Sequence, residues 1–167
     1  MKLISLHIVN YGKLSNYDFL FEDINVICQE NGYGKSTIVS FIKSMFYGLE
    51  TLKNNTSKFL DRKHYYPFNR GVFGGNIVFT YHNQEYRIER IFDEKSEIKD
   101  ILKVYCNGNE TDELGLIPGL IIFGINKDNF EKIISIKYDV PNNKLSMFDD
   151  YKLAIDNFYN KVMEENA

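Results

Sequence analysis

Cysteine is scarce in this chain of 167 residues, and the scarcity narrows its class. Cys28 and Cys106 are too few for a disulfide framework or a zinc cluster, and free thiols suit a reducing compartment. No apolar run approaches the roughly 20 residues that cross a bilayer, and the N-terminus lacks the long apolar segment of a signal peptide. A cytoplasmic location with no membrane partner is the expectation. Positive charge is not in excess either: 20 Lys and Arg against 23 Asp and Glu give a formal net charge of −3 and a pI near 5.6. That balance excludes a chain that coats nucleic acid along its whole surface. There is no internal repeat and no low-complexity tract. What remains, at 44% hydrophobic and 15% aromatic residues, is the composition of a globular domain long enough to bury a core.

One stretch carries recognisable chemistry. Residues 24–41 read Ile-Asn-Val-Ile-Cys-Gln-Glu-Asn-Gly-Tyr-Gly-Lys-Ser-Thr-Ile-Val-Ser-Phe. Gripping a chain of phosphates takes converging backbone N–H groups, a lysine cation and a helix N-terminus, and this stretch supplies all of them. Gly34, Lys35 and Ser36 meet the end of the phosphate-loop pattern G-x-x-x-x-G-K-S/T, and Thr37 follows. Gln29 stands where the first glycine belongs, although Gly32 gives the loop another position without a Cβ. By role, Lys35 reaches the β- and γ-phosphates and the Ser36 hydroxyl takes Mg²⁺. The backbone N–H groups of Asn31, Gly32, Tyr33, Gly34, Lys35, Ser36 and Thr37 cradle the phosphates. The expected ligands are therefore ATP and Mg²⁺; the competing bland reading is a solvated loop before an amphipathic helix.

The flanks fit this reading. Ile24, Val26, Ile27 and Cys28 form a β-branched apolar run, which predicts a strand buried on both faces of a parallel sheet. Ile38, Phe41, Ile42, Met45 and Phe46 recur at three and four residues, an amphipathic helix closed by Gly48. Elsewhere, alternation predicts strands over residues 3–9, 17–22, 76–81, 85–92 and 101–106, with turns at 82–84 and at Asn107-Gly108. Residues 51–63 read as a polar excursion. Asp128 is placed to cap a short helix through Ile134, with Phe130 and Ile133 inward. From Ser146 onward Phe148, Tyr151, Ile155, Phe158 and Val162 make a narrow apolar seam, which suits a core helix and a coiled-coil root equally. The later strands look antiparallel, so the predicted fold is α/β with a mixed sheet, antiparallel strands beside a parallel core. The expected organisation is a nucleotide-binding lobe over residues 1–145 and a helix over 146–167, in a pattern that suits a piece of a longer protein.

Arg62, Lys63, His64 and Arg70 interleave with Tyr65, Tyr66 and Phe68, a mixture that can hold phosphates or stack on a base. The plainer expectation is a surface loop whose cations lie over aromatic packing.

Residues 1–49, with Asn-Tyr-Gly-Lys after the first strand and Glu-Asn-Gly-Tyr-Gly-Lys-Ser-Thr before Phe-Ile-Lys-Ser-Met-Phe-Tyr-Gly-Leu, resemble the N-terminal head segment of SMC-like ATPases, especially YhaN-type proteins related to RecF and RecN. The resemblance continues through Tyr65-Tyr66-Pro67-Phe68, Phe73-Gly74-Gly75, Tyr86-Arg87-Ile88-Glu89-Arg90, Phe123-Gly124-Ile125 and Phe130. It implies an ABC-class head in which a C-terminal lobe supplies the acidic magnesium and catalytic residues. A long coiled coil separates the lobes, and two heads sandwich two ATP molecules. The implied partners are that C-terminal lobe and a second head, with DNA engaged by the full assembly in repair, maintenance or defence. The resemblance tips the last helix toward a coiled-coil root.

The departures matter as well. Where the family carries a glutamine that senses Mg²⁺ and the attacking water, this chain has Tyr138, beside Asp139, and a phenol lacks the amide's paired donor and acceptor. No run of four apolar residues ends in Asp-Glu; Phe19-Leu20-Phe21-Glu22-Asp23 has the acids reversed and reads as a strand ending at a polar turn. Neither Leu14-Ser15 nor Leu145-Ser146 is followed by the glycines of an ABC signature. The chain alone is expected to bind ATP without hydrolysing it, because phosphoryl transfer depends on positioning and charge stabilisation that these residues do not supply. A non-catalytic interaction module is the competing class, favoured by Gln29 and Tyr138 and opposed by Lys35-Ser36-Thr37. A small GTPase is weak, since the Asp of Asn126-Lys127-Asp128 comes one residue too early and no Asp-x-x-Gly follows the phosphate loop suitably.

Overall fold

Period-2 patterning builds the sheet on which this molecule is organised. The computed structural model describes residues 1–27, 34–50 and 61–134, which fall within one compact unit, Met1–Ile134. The expected helix over 146–167, with Tyr138 and Asp139, lies outside the described residues, as do Cys28, Gln29 and residues 51–60. Six strands form one sheet: β1 (Lys2–Tyr11), β2 (Leu14–Leu20), β3 (Gly74–Tyr81), β4 (Gln84–Ile91), β5 (Ile101–Cys106) and β6 (Asn109–Glu110), in the order β2-β1-β3-β4-β5-β6. Every pairing among them is antiparallel.

Turn chemistry sets the registers. His82 and Asn83 join β3 to β4 at φ +48° and +60°, and Asn107 and Gly108 join β5 to β6 at +48° and +84°. Successive positive φ angles make the turn whose twist matches a hairpin. Leu6, Ile8, Ile77, Phe79, Tyr86, Ile88 and Val104 then all face one side of the sheet and are buried. The other side carries His7, Asp18, Asn76, Glu89 and Lys103 in one cross-strand row.

On the apolar side lies α1 (Lys35–Tyr47), whose Ile38, Phe41, Met45 and Phe46 are buried as their spacing predicts. Phe46 meets Phe79 of the sheet at 5.3 Å between ring centroids, and Tyr11 meets Phe41 edge-on at the same distance. Gly48 ends the helix at φ +76°, its N–H donating to the Ser44 carbonyl. Two short helices, α3 (Pro118–Phe123) and α4 (Lys127–Ile134), close the far end of α1. Tyr47 donates its hydroxyl to the Ile125 carbonyl at 2.9 Å, and its ring sits 5.0 Å from that of Phe130.

Three expectations need correction. Residues 24–27 form no strand: Ile24 and Val26 are 62% and 61% exposed, and only Ile27 packs partly against the core. A strand buried on both faces needs a hydrogen-bonding neighbour, and β2 is the edge of the described sheet on that side. The mixed sheet with a parallel core is thus replaced, among the described residues, by a wholly antiparallel sheet with few helices. The first turn of α4 is capped by Asn126, whose Oδ1 accepts the Asn129 N–H at 2.9 Å, and not by Asp128. Arg62 is no surface cation. It lies in α2 (Asp61–His64), 3% exposed, and forms a two-pronged ion pair with Asp100 at 2.8 Å on each prong.

The Gly74-Gly75 pair explains how β3 fits between its neighbours. A methyl group added at Gly75 would fall inside the van der Waals envelope of the His7 carbonyl oxygen on β1, and one at Gly74 would do the same to the Arg90 carbonyl on β4. Neither oxygen moves without breaking its ladder. Gly75→Ala is therefore expected to cost about 3 kcal/mol, the upper end for overpacking. A urea unfolding curve with its midpoint shifted by less than a third of that amount would contradict this account of β3.

Candidate nucleotide-binding site

The first turn of α1 is the chemical focus. Gly34 precedes it at φ +102°, a conformation that L side chains rarely adopt, and its carbonyl accepts the Ile38 N–H at 2.9 Å. Among the described residues no side chain caps this end, and no acidic residue lies in the first turn. A helix of 13 residues therefore presents its N-terminal N–H groups and the positive end of its dipole, with no acidic residue in its own first turn. That electrostatic setting fits a polyanion, and Lys35 and Ser36 stand at its start.

The side chains of this turn divide by burial. Ser36 is exposed, whereas Thr37 is buried at 6% with its methyl against the β1–β2 hairpin. A methyl group built on Gly12 would stand 3.3 Å from the Tyr65 ring and 3.4 Å from Thr37 Cγ2. Leu14 packs over Gly34 in the same way, its Cδ2 being 3.0 Å from where a Cβ would lie. The hairpin thus holds the helix start from one side. Tyr11 adds a hydrogen bond to Ser40 at 3.0 Å. Asn31, Gly32 and Tyr33 lie outside the described residues, so Gly34, Lys35, Ser36 and Thr37 are the predicted site residues that the fold brings together.

Beside the hairpin sits the segment that follows α2. The Gly12 N–H donates to the Tyr65 carbonyl at 2.6 Å, and the Tyr65 ring stacks on Tyr11 with centroids 4.8 Å apart. Asn10, 7% exposed, accepts hydrogen bonds from Ser15 at 2.7 Å and from Asn69 at 2.6 Å, and donates to the Val72 carbonyl at 3.0 Å. Nothing local in the sequence marks this network, which joins residues 59 positions apart.

The reversed acid pair of β2's end takes no part in the site. Asp23 pairs with Lys2 at 2.5 Å, and the Glu22 backbone exchanges hydrogen bonds with the Asn25 side chain. Among the described residues no cluster of His, Cys, Asp or Glu is arranged to hold a metal, so Ser36 is the candidate magnesium contact there.

The glycine, the lysine and the hydroxyl residue at the head of a helix laid on a sheet define a P-loop domain. A family model described as an AAA domain matches residues 5–165, and the chain belongs to that family of P-loop ATPase domains. It is 35% identical, over 141 aligned residues, to the uncharacterized protein YhaN of Bacillus subtilis strain 168. The alignment covers 75% of this chain and 13% of that relative, and it supports the likeness to the N-terminal segment of an SMC-like head. No described helix is long and apolar enough to cross a membrane.

Proposed function

We propose that residues 31–37 bind ATP with Mg²⁺, and that the chain serves as the nucleotide-binding N-terminal half of an SMC-like ATPase head. The observation that carries this reading is the N-terminus of α1, with no acidic residue in its first turn and no cap from the described side chains, and with Gly34, Lys35, Ser36 and Thr37 in sequence across it. Lys35 supplies charge to the β- and γ-phosphates, Ser36 Oγ a ligand for Mg²⁺, and the loop N–H groups the remaining hydrogen bonds. Bound Mg²⁺ would bridge phosphate oxygens and offset their charge.

Hydrolysis on this reading requires a C-terminal lobe and a second head, since no run of four apolar residues in this sequence ends in the Asp-Glu pair that would hold magnesium and activate water. DNA repair, maintenance or defence is the proposed setting of the assembled ATPase, DNA engages the full assembly, and the compartment is the cytoplasm. Tyr138, where the family places a glutamine, keeps a non-catalytic interaction module as the second reading.

Calorimetric titration and thermal unfolding with ATP and Mg²⁺ separate the two readings. Saturable heat and a raised midpoint are expected, because a ligand at a hundred times its Kd stabilises the folded state by about 2.7 kcal/mol. Neither heat nor stabilisation at millimolar nucleotide would leave the interaction module standing.

A further inference from the structure

A hydrogen-bonded aromatic turn is linked to the first turn of α1 through the β1–β2 hairpin. Residues Pro67, Phe68, Asn69 and Arg70 make a tight turn closed by the Arg70 N–H on the Pro67 carbonyl at 3.2 Å. Pro67 is fully buried beneath it, and Phe68 at its tip is 88% exposed. The turn is tied down twice more: Asn69 donates to Asn10 Oδ1 at 2.6 Å, and the Gly71 N–H donates to Asn69 Oδ1 at 3.1 Å. Arg70 is held at φ +53°, a left-handed backbone conformation that a non-glycine residue keeps only where its surroundings impose it. Such outliers concentrate at ligand clamps. The turn shares its anchor, Asn10, with the hairpin whose Gly12 touches both Tyr65 and Thr37. One contiguous set of contacts therefore runs from the first turn of α1 to Phe68.

We propose that Phe68 stacks on the base of the nucleotide whose triphosphate the α1 N-terminus grips. This rests on the nucleotide-binding reading above and adds the element that selects a nucleoside over a bare polyphosphate. An exposed phenyl ring has no polar group to engage phosphate, whereas every nucleobase offers it a π-face. Because the turn is fixed before binding, ordering the ring costs little. Phe68 buries nothing in the free protein, so its removal leaves the fold intact.

The test is a pair of titrations in Mg²⁺, with ATP and with inorganic tripolyphosphate, on the wild type, Phe68→Ala and Phe68→Tyr. Phe68→Ala is expected to weaken ATP about tenfold, within the range for base–aromatic stacking, while tripolyphosphate affinity stays put. Phe68→Tyr keeps the ring and should retain ATP. Unchanged ATP affinity in Phe68→Ala, or an equal loss for both ligands, overturns the stacking proposal and leaves the phosphate grip in place. Failure of the wild type to bind either ligand overturns both.

Discussion

Asp100→Ala is expected to lower the stability of this domain by about 3–5 kcal/mol, the cost of stranding a buried charge. Asp100 and Arg62 have side chains 7% and 4% exposed, and the carboxylate takes both prongs of the guanidinium at 2.8 Å. The same carboxylate accepts the Asp93 N–H at 2.8 Å. Arg62 also donates to the carbonyls of Asp93 and of Leu49, just past α1, so one pair ties α2 to the end of α1 and to the loop after β4. Arg90 lies close by, 5% exposed, and burial lowers its pKa from the ordinary guanidinium range to about 10, with Asp100 acting in the opposite sense. Removing Asp100 therefore leaves Arg62 unpaired and Arg90 without its nearby counter-charge. The comparison variant is Arg62→Met with Asp100→Leu, which deletes both charges. If the cost is the stranded cation, the double variant should recover most of the loss in urea unfolding. Equal destabilisation by Asp100→Ala and the double variant would assign the effect to packing instead.

How much of this was legible in advance follows from the range of each interaction. The hairpins follow from alternation and from turn residues that accept positive φ, as at His82-Asn83 and Asn107-Gly108. Helix α1 follows from Ile38, Phe41, Met45 and Phe46, because a three-and-four spacing has one physical meaning on a long helix. The run at residues 24–28 misled because β-branched composition states what a segment prefers and not whether a neighbour is present to pair with it. Asn126 and Asp128 offer the same capping chemistry two residues apart, and only the backbone path chooses between them. Helix α3 was missed although Pro118 begins it and Gly124 ends it at φ +66°, the asymmetry that marks a helix in sequence. The Arg62–Asp100 pair spans 38 positions and left no local trace, so a cation that is buried in the fold looked like a surface one. At the candidate site the residue types were legible from the motif. The support from Asn10, Gly12 and Leu14 was not, since it arises from chain segments brought together by the sheet.

Lys35→Ala is expected to weaken ATP binding about a hundredfold while leaving the unfolding midpoint of the free protein nearly unchanged. The asymmetry follows from where Lys35 sits. It is the first residue of α1 and partly exposed, so it contributes little to the core that Ile38, Phe41, Met45 and Phe46 make. A phosphate chain seated on the helix N-terminus would instead place its most concentrated charge at that end, where charge-assisted hydrogen bonds are strong and a dipole already favours anions. Lys35→Arg is the discriminating control. Arginine keeps the charge but is planar and bulkier, so a site that uses a compact ammonium should accept it poorly, with intermediate affinity at best. Ser36→Ala, by contrast, should weaken ATP chiefly in the presence of Mg²⁺, since on the proposed reading its hydroxyl would contact the metal and not the phosphates. A protein whose ATP affinity is indifferent to Lys35→Ala would hold nucleotide, if at all, somewhere other than the start of α1. The magnesium dependence of the Ser36→Ala loss then distinguishes a displaced site from one that works without the metal.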